Sequence, residues 1–527
     1  MGGYAIHNFG CRANAADGDA IATLLEQAGA AAASSRDTAG VVVINTCSVT
    51  AEGERNARAL IRRVQRENAA TRIVVTGCYA QRAPGELAAL PGVFAVVGNS
   101  HKGEVATVAL AALGRADADL TLERSGRKIN PVDDRSHPLA DAKPYIGPSV
   151  GITASTLPGL EVPGSDEREP DEVARGSNGF VPVERLLQPV HAPFVMRAVS
   201  AERAPGPELP LIVAQAGAFR SRPVLKVQDG CGNRCSFCVI PETRGPSRSV
   251  TLEEALAATR RFAEQGGQEL VLSGINLGRW GRDLEKRRSL PELVRALLEE
   301  TALPSLRISS VEPMDWGSEL LALYARYGQS GGGSHARLAP HAHLPLQSGA
   351  DTVLRRMHRR YRPWHYAEKV QQLRALLPDA AIGADVMVGF PGETDALFEE
   401  SRAFIAAQPF TYLHLFPFSP RPNTEAETWH RAMPVESARV RQRMKALEDW
   451  AAAARQRFAG RFVGQVRTAV RLEGGTALTD NFIPVTLPGP AVAGQRIEVR
   501  IVSIKDGAMH GVQHVEAGRG ELRVGQD

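Results

Sequence analysis

The chain has 527 residues, 43% hydrophobic and 23% charged, with a formal net charge of +4. That length exceeds what one core holds, so several domains are expected. No run approaches the roughly 20 apolar residues that span a bilayer, and the start Met-Gly-Gly-Tyr lacks the basic-then-apolar layout of a secretory leader. A cytoplasmic protein with no membrane partner is the expectation. The mild positive charge permits a polyanionic partner without requiring one.

Tyr4 to Cys11, Val41 to Cys47 and Ile73 to Cys78 each read as a short apolar strand closed by a cysteine. A charged helix is expected over Glu52 to Glu67. In parallel α/β sheets, ligands gather beyond the carboxyl ends of the strands. The pattern therefore predicts that Cys11, Cys47 and Cys78 converge at one edge of a domain spanning 1–115. Residues 116–220 break the pattern. Between 131 and 210, proline, glycine, serine and acidic clusters replace periodicity, so a flexible linker or insertion is expected there.

From 221 to 458 the alternation of strand and helix returns. Strands are expected at Val224–Gln228, Glu269–Ser273, Leu306–Ser309, His343–Leu346, Gly383–Val388 and Leu413–Phe416. Thr251 to Glu254 and Ser289 to Glu292 have the spacing of capping boxes. These repeats are too few for a closed eight-stranded barrel and suit an open, partial (β/α)6 one. Gly328 to Ser334 reads as a surface loop. A long Arg- and Ala-rich helix, Glu436 to Phe458, leads into residues 459–527, where alternating runs such as Arg496 to Lys505 predict a small antiparallel β-barrel.

The first strand of the partial barrel runs into Cys231-Gly-Asn-Arg-Cys235-Ser-Phe-Cys238. With Cys11, Cys47 and Cys78 these make up all 6 cysteines, in two trios. A disulfide scaffold is not expected in a large chain without a leader. Structural zinc wants four ligands, and no further Cys or His lies within a few residues of Cys238. Three thiolates can instead hold three irons of a cubane and leave the fourth open to a chelating ligand. The C-x3-C-x2-C spacing resembles the hallmark of the radical S-adenosylmethionine (SAM) superfamily. That resemblance implies that SAM chelates the open iron and is cleaved by one electron to a 5′-deoxyadenosyl radical. It also makes Phe237, Gly274, Asn276, Gly389 and Gly392 the candidate SAM contacts.

Asn8 to Asn14, Asn45 to Thr50 and Val75 to Gln81 resemble the three cysteine motifs of the methylthiotransferase family. The family pattern implies a Rossmann-like α/β domain with an auxiliary [4Fe–4S] cluster on Cys11, Cys47 and Cys78. It further implies a radical SAM barrel with its cluster on Cys231, Cys235 and Cys238, then a small RNA-binding β-barrel of the TRAM type. Two SAM molecules, an external one-electron donor of flavodoxin or ferredoxin type, and a monomeric enzyme are implied as well. Val271 to Gly278, Arg307 to Pro313, Met357 to Tyr361 and Leu413 to Pro422 resemble the bacterial branch that adds a methylthio group to C2 of threonylcarbamoyladenosine-37, in the anticodon region of tRNA. Isopentenyladenosine-37 of tRNA and an aspartate of a ribosomal protein are the related substrates to be distinguished. A non-catalytic iron–sulfur protein that binds RNA is the alternative of another class.

RNA contacts are sought on two elements. Arg55, Arg58 and Arg62 share the helix after Cys47, where a charge run can equally be a solvated face. Thr479 to Val485 resembles the core strand of TRAM domains, making Asn481 and Phe482 candidates, unless Phe482 belongs to a hydrophobic core.

Overall fold

The computed structural model describes residues 2–115, 123–124, 127–128, 194–196, 209, 211, 213, 221–329, 336–489, 492–505 and 507–514. In the N-terminal domain β1 (Gly3–Asn8), β2 (Ala39–Thr46), β3 (Arg72–Gly77) and β4 (Val93–Gly98) pair in parallel. Asn8 lies opposite Asn45 and Thr46 opposite Gly77, so the three cysteine-bearing strands end almost level. Helices α1 (Arg12–Gln27), α2 (Ala51–Glu67), α3 (Cys78–Arg82), α4 (Pro84–Ala88) and α5 (Val105–Ala112) cover both faces. Ile21 and Leu24 of α1 join α5 against Val41 and Val43 on one face. Leu60 and Ile61 of α2 meet Ile73 and Val75 on the other.

After α1 the chain bridges the outer side of β1 at Ala32 before returning to form β2 on the inner side. Winding thus reverses between β1 and β2. Such a reversal opens a crevice at the carboxyl ends of the strands, the usual ligand position in a doubly wound sheet.

The linker expected over 116–220 falls mostly outside the described residues. Within it, β5 (Glu123–Arg124) and β6 (Arg127–Lys128) pair as a hairpin. β7 (Phe194–Met196) departs from the linker expectation by adding in parallel to the edge of β4, Phe194 opposite Ala95. An open edge offers unpaired backbone groups to any extended segment. Three residues are too few to display a strand's alternation in sequence.

The second domain begins with β8 (Val224–Asp229) and the short antiparallel β9 (Arg248–Ser249). It continues with β10 (Glu269–Gly274), β11 (Ser305–Ile308), β12 (His341–His343), β13 (Ala381–Val388) and β14 (Tyr412–Pro417). β8, β10 and β11 are parallel neighbours, as are β12, β13 and β14, and the bridge of Ser310 to His343 joins the groups into a partial barrel. Both capping boxes form, at Thr251 and Ser289. The strand expected at His343–Leu346 sits earlier, at His341–His343. Leu344 and Leu346 still donate to the Gly383 and Asp385 carbonyls, but a bulge interrupts the ladder at Gln347, φ +68°, whose N–H shares the Asp385 carbonyl with that of Leu346 before it bridges Val386.

The helix Ser437–Gly460 packs on β14 and delivers the chain to a closed barrel. Its strands are β15 (Val466–Arg471), β16 (Thr476–Thr479), β17 (Pro484–Thr486), β18 (Arg496–Lys505) and β19 (Ala508–Gln513). This barrel caps the amino end of the partial one. Arg307 of β11, fully buried, grips Glu269 with two hydrogen bonds of 3.0 Å and donates to the carbonyls of Thr479 and Asp480. Phe482, at φ +67°, sits 4.4 Å from the His341 ring and 5.2 Å from that of Tyr412.

These contacts correct the placing of Asn481 and Phe482 on an RNA surface. Asn481 is fully buried and donates to the Asp379 carbonyl, while Phe482 plugs the floor of the neighbouring domain. Removing one partner of a buried ion pair strands the other charge, at a cost of about 3–5 kcal/mol. Arg307→Met should therefore destabilise the junction by that amount. Hydrogen exchange at β11 and at 479–483 should rise first, before exchange in the N-terminal sheet changes.

Candidate functional site

The level strand ends bring the first trio together. Cys47 and Cys78 are buried and Cys11 is exposed. Gly10 is the close-packed point. A β-carbon there would lie 2.6 Å from the Cys47 Sγ, so no larger residue fits without moving the thiol. Asparagines knit the edge. Asn14 Nδ2 donates to the Phe9 and Thr46 carbonyls, and Asn45 Nδ2 to the Asn14 carbonyl and Asn8 Oδ1. N–H groups also point at sulfur: Val49 N lies 3.4 Å from Cys47 Sγ and Asn99 Nδ2 3.3 Å from Cys78 Sγ.

The second trio lies on the loop after β8. Asn233 N reaches Cys231 Sγ at 3.4 Å, Asn276 Nδ2 the same sulfur at 3.5 Å, and Arg359 Nη1 reaches Cys235 Sγ at 3.3 Å. Arg359 is itself paired with Glu312. Burial pushes the Cys47 and Cys238 thiols up to about 12, with the neighbouring thiols adding to the effect. Left alone, these groups hold their protons at neutral pH. A metal must displace those protons to bind.

The residues fit an iron–sulfur cluster at each trio. Each offers three sulfurs with N–H donors aimed at them, the arrangement that tunes cluster potentials. Buried oxygens around them, Asn45 Oδ1, Asn99 Oδ1, Thr243 Oγ1 and Asn276 Oδ1, have no hydrogen-bond partner among the described residues. Such groups call for a ligand or water.

Of the candidate SAM residues, Asn276 and Phe237 border the second trio. Asn276 N–H is fixed by Gln228 Oε1 at 2.7 Å, and Phe237 meets Phe390 edge-on at 6.3 Å. Gly274 has a packing reason of its own, since a β-carbon would come within 3.0 Å of the Gln228 side chain. Gly389 and Gly392, both at positive φ, shape a turn in which Gly389 N–H donates to Glu393. Arg443 in turn holds Glu393 at 2.8 Å. On α2, Arg55 and Arg62 are exposed, whereas Arg58 is tied to the Tyr79 hydroxyl and Glu86.

The two trios are held across the domain boundary by charges that sequence reading did not single out. Asp17 of α1, wholly buried, faces Lys102 at 2.5 Å, Lys226 of β8, and Arg244 at 3.3 Å. Arg244 also grips Asp229 with two bonds of 2.8 Å and donates to Asn14. Burial alone would raise Asp17, but Lys102, Lys226 and Arg244 together hold it well below the usual carboxylate range. Arg244 and Lys226 move the opposite way, their carboxylates outweighing burial. Lys102 is lowered, because burial and the adjoining Arg244 and Lys226 exceed the pull of Asp17. Asn99 completes the join by donating both to Cys78 Sγ and, at 3.0 Å, to the Thr243 carbonyl just beyond the second trio. On the far side Arg421 reaches Glu54 at 3.0 Å. A charged residue inside an apolar strand, as in Val-Leu-Lys226-Val, was the signal available in sequence.

Carboxylates held low contribute stability that is present above their unfolded value, near 4, and lost only as pH falls through the lower folded one. The junction should therefore be insensitive to pH from about 5 to 8. Asp17→Asn should weaken it at every pH in that range by about 3–5 kcal/mol, read as earlier thermal separation of the N-terminal domain.

Comparison with known proteins matches this architecture. Residues 3–98 match the model described as "Uncharacterized protein family UPF0004", and residues 225–405 that of the radical SAM superfamily. Threonylcarbamoyladenosine tRNA methylthiotransferase MtaB of Aquifex aeolicus is 31% identical over 497 residues, covering 94% of this chain and 99% of that protein. The protein of the same name from Bacillus subtilis is 29% identical over 514 residues, covering 95% and 94%. The tRNA-2-methylthio-N(6)-dimethylallyladenosine synthase of Novosphingobium aromaticivorans is 29% identical over 437 residues, covering 82% and 78%. With a relative above 30% identity along nearly its whole length, the chain belongs to the threonylcarbamoyladenosine tRNA methylthiotransferase family.

Proposed function

We propose that this chain transfers a methylthio group to C2 of threonylcarbamoyladenosine-37 in tRNA, with Cys11, Cys47 and Cys78 ligating an auxiliary [4Fe–4S] cluster and Cys231, Cys235 and Cys238 ligating the cluster that binds SAM. The observation that carries the reading is the pair of three-thiol sites locked to one another across a domain boundary. When bound, the clusters and SAM supply a hydrogen-abstracting radical at one site and a methylated sulfur at the other. An unactivated C–H bond cannot be opened by acid–base chemistry alone, and the transferred sulfur must wait close to where that bond is broken.

The protein's own residues hold and shield. Asn276 bridges Gln228 and Cys231 and leaves its buried Oδ1 without a partner among the described residues, available to a ligand. Arg359 places positive charge beside Cys235, which favours the reduced, more negative state of whatever the sulfur ligates. Phe237, next to Cys238 in sequence, Phe390, Phe418 and Trp429 form a linked aromatic cluster, apolar surface of the kind that would shield a reactive intermediate from water.

A depression lined by Arg234, Cys235, Arg279, His358 and Arg360 opens the cluster side to solvent. Its basic rim suits an acidic one-electron donor of the flavodoxin or ferredoxin type. Exposed Arg55 and Arg62 remain the phosphate contacts proposed for the N-terminal domain. On the C-terminal barrel the RNA face moves from the buried Asn481 to the outer side of β18, where Arg500, Val502, Ile504 and Lys505 are exposed. We place the enzyme in the cytoplasm as a monomer; no helix among the described residues is long and apolar enough to cross a membrane.

Anaerobically reconstituted protein should hold about eight irons, from two four-iron clusters. Cys47→Ala and Cys235→Ala should each bring the content to about four. The Cys47 variant should still cleave SAM and the Cys235 variant should not. Nucleoside mass spectrometry of tRNA treated with the enzyme should show the 2-methylthio derivative of threonylcarbamoyladenosine. Its absence, with methylthiolated isopentenyladenosine in its place, would contradict the substrate assignment.

A further inference from the structure

Inside the partial barrel β12, β13 and β14 present His343, Asp385 and His414 to one another. One Asp385 oxygen lies 3.3 Å from His343 Nε2 and 3.4 Å from His414 Nδ1. His343 Nδ1 is 2.7 Å from the Ser310 hydroxyl, and the Tyr412 ring packs on both imidazoles at 5.8 and 5.2 Å. One oxygen of the carboxylate is thus shared between two imidazoles, at ion-pair distance rather than in a formed hydrogen bond to His343. His414, about half exposed, keeps its second ring nitrogen free of any hydrogen bond among the described residues.

Into this chamber comes Arg12, the first residue of α1 and the neighbour of Cys11 in sequence. Ala16, one turn further along α1, packs against Val224 of β8 and Val271 of β10, so this helix end lies within the mouth of the barrel. The Arg12 guanidinium lies close enough to feel Tyr412, Asp385, Glu269 and Arg307. Among the described residues it makes no hydrogen bond or ion pair. Of the carboxylates in its vicinity, Glu269 has both oxygens bonded to Arg307, and Asp385 has one oxygen shared by the two imidazoles. A partly buried guanidinium without a partner is costly, and a carboxylate supplied by a ligand is its best geometric match. The His343, Asp385 and His414 ligand atoms, within 4.8 Å of one another, are close enough for a metal ion, but the cation beside them opposes a second positive charge.

We propose that Arg12 binds the carboxylate of the substrate's threonylcarbamoyl side chain and so selects an adenosine that carries an acid. This rests on threonylcarbamoyladenosine being the substrate. An isopentenyl group has no charge to offer and would leave the guanidinium buried and unpaired, which is rejection as well as loss of attraction. Holding the side chain rather than the ring edge leaves C2, across N1 from the substituted carbon, uncovered. Because Arg12 adjoins Cys11, the same grip sets the base next to the first trio. Asp385 acts as a positioning residue that keeps the two imidazoles turned toward the chamber.

The test uses the enzyme with both clusters and two anticodon stem–loop RNAs, one bearing threonylcarbamoyladenosine and the other its threonine methyl ester, which is neutral and nearly the same shape. Truncating one side of a buried charge pair costs about 2–5 kcal/mol, so the wild type should favour the acid over the ester by about thirtyfold or more in kcat/KM. Arg12→Met should lower kcat/KM on the acid to that of the ester, with the ratio near one. Arg12→Lys should restore part of the preference. Iron content and SAM cleavage without RNA report whether each variant retains its clusters. A wild-type ratio near one overturns the proposal without recourse to any variant, and a ratio preserved in Arg12→Met overturns the assignment to Arg12. A wild type that modifies neither RNA but does modify a third stem–loop bearing isopentenyladenosine would instead sink the functional reading itself, a different and recognisable result.

Discussion

Asp17 is the group on which the arrangement turns. It is a carboxylate without solvent access, placed on the first helix of one domain and surrounded by Lys102 of its own domain and Lys226 and Arg244 of the next. With Asp229 the cluster holds two negative and three positive side chains, so it is nearly neutral and leaves one excess cation. Desolvating that many charges is expensive unless each is paired, so the contact tolerates little misalignment. The excess cation lies beside the first trio: Arg244 is in the field of Cys78 and Cys11 as well as of the two carboxylates, so the group that locks the domains also faces the three thiols.

Two layers of fold deliver this contact. Reversal of winding between β1 and β2 opens the crevice that the first trio rims. The short helix Ile240–Arg244, immediately after Cys238, carries Arg244 back toward that crevice. The C-terminal barrel performs a separate task at the opposite end, where Phe482 and the Arg307–Glu269 pair close the floor of the chamber. Deleting that barrel would therefore open the chamber from below as well as remove the proposed RNA surface. Loss of activity after such a truncation says little about RNA binding by itself.

Much of this was legible in sequence because it rests on local rules. A strand that ends in cysteine, repeated in three places, predicts a shared edge wherever the sheet is parallel, and the registers at Asn8–Asn45 and Thr46–Gly77 deliver it. Capping boxes at Thr251 and Ser289 mark helix starts through side chains three residues apart. What escaped was non-local. Asn481 and Phe482 sit on a motif that reads as a barrel strand, but their burial comes from His341, Tyr412 and Asp379 of another domain. β7 is too short to show alternation, and the ladder of β12 is broken by a bulge at Leu346 and Gln347. Asp17, Lys102 and Arg244 are single charges 85 or more positions apart, with no spacing to betray that they meet.

A buried ionic lock that holds the two thiol trios, the proposed cluster sites, in a fixed relation should be visible in the coupling between their centres. Pulsed electron paramagnetic resonance on the doubly reduced enzyme, comparing the wild type with Asp17→Asn at matched iron content, addresses it directly. A single well-defined dipolar coupling between the two centres is expected in the wild type, broadened or lost in the variant. Two centres relaxing independently in the wild type, or an identical coupling in both proteins, would contradict it.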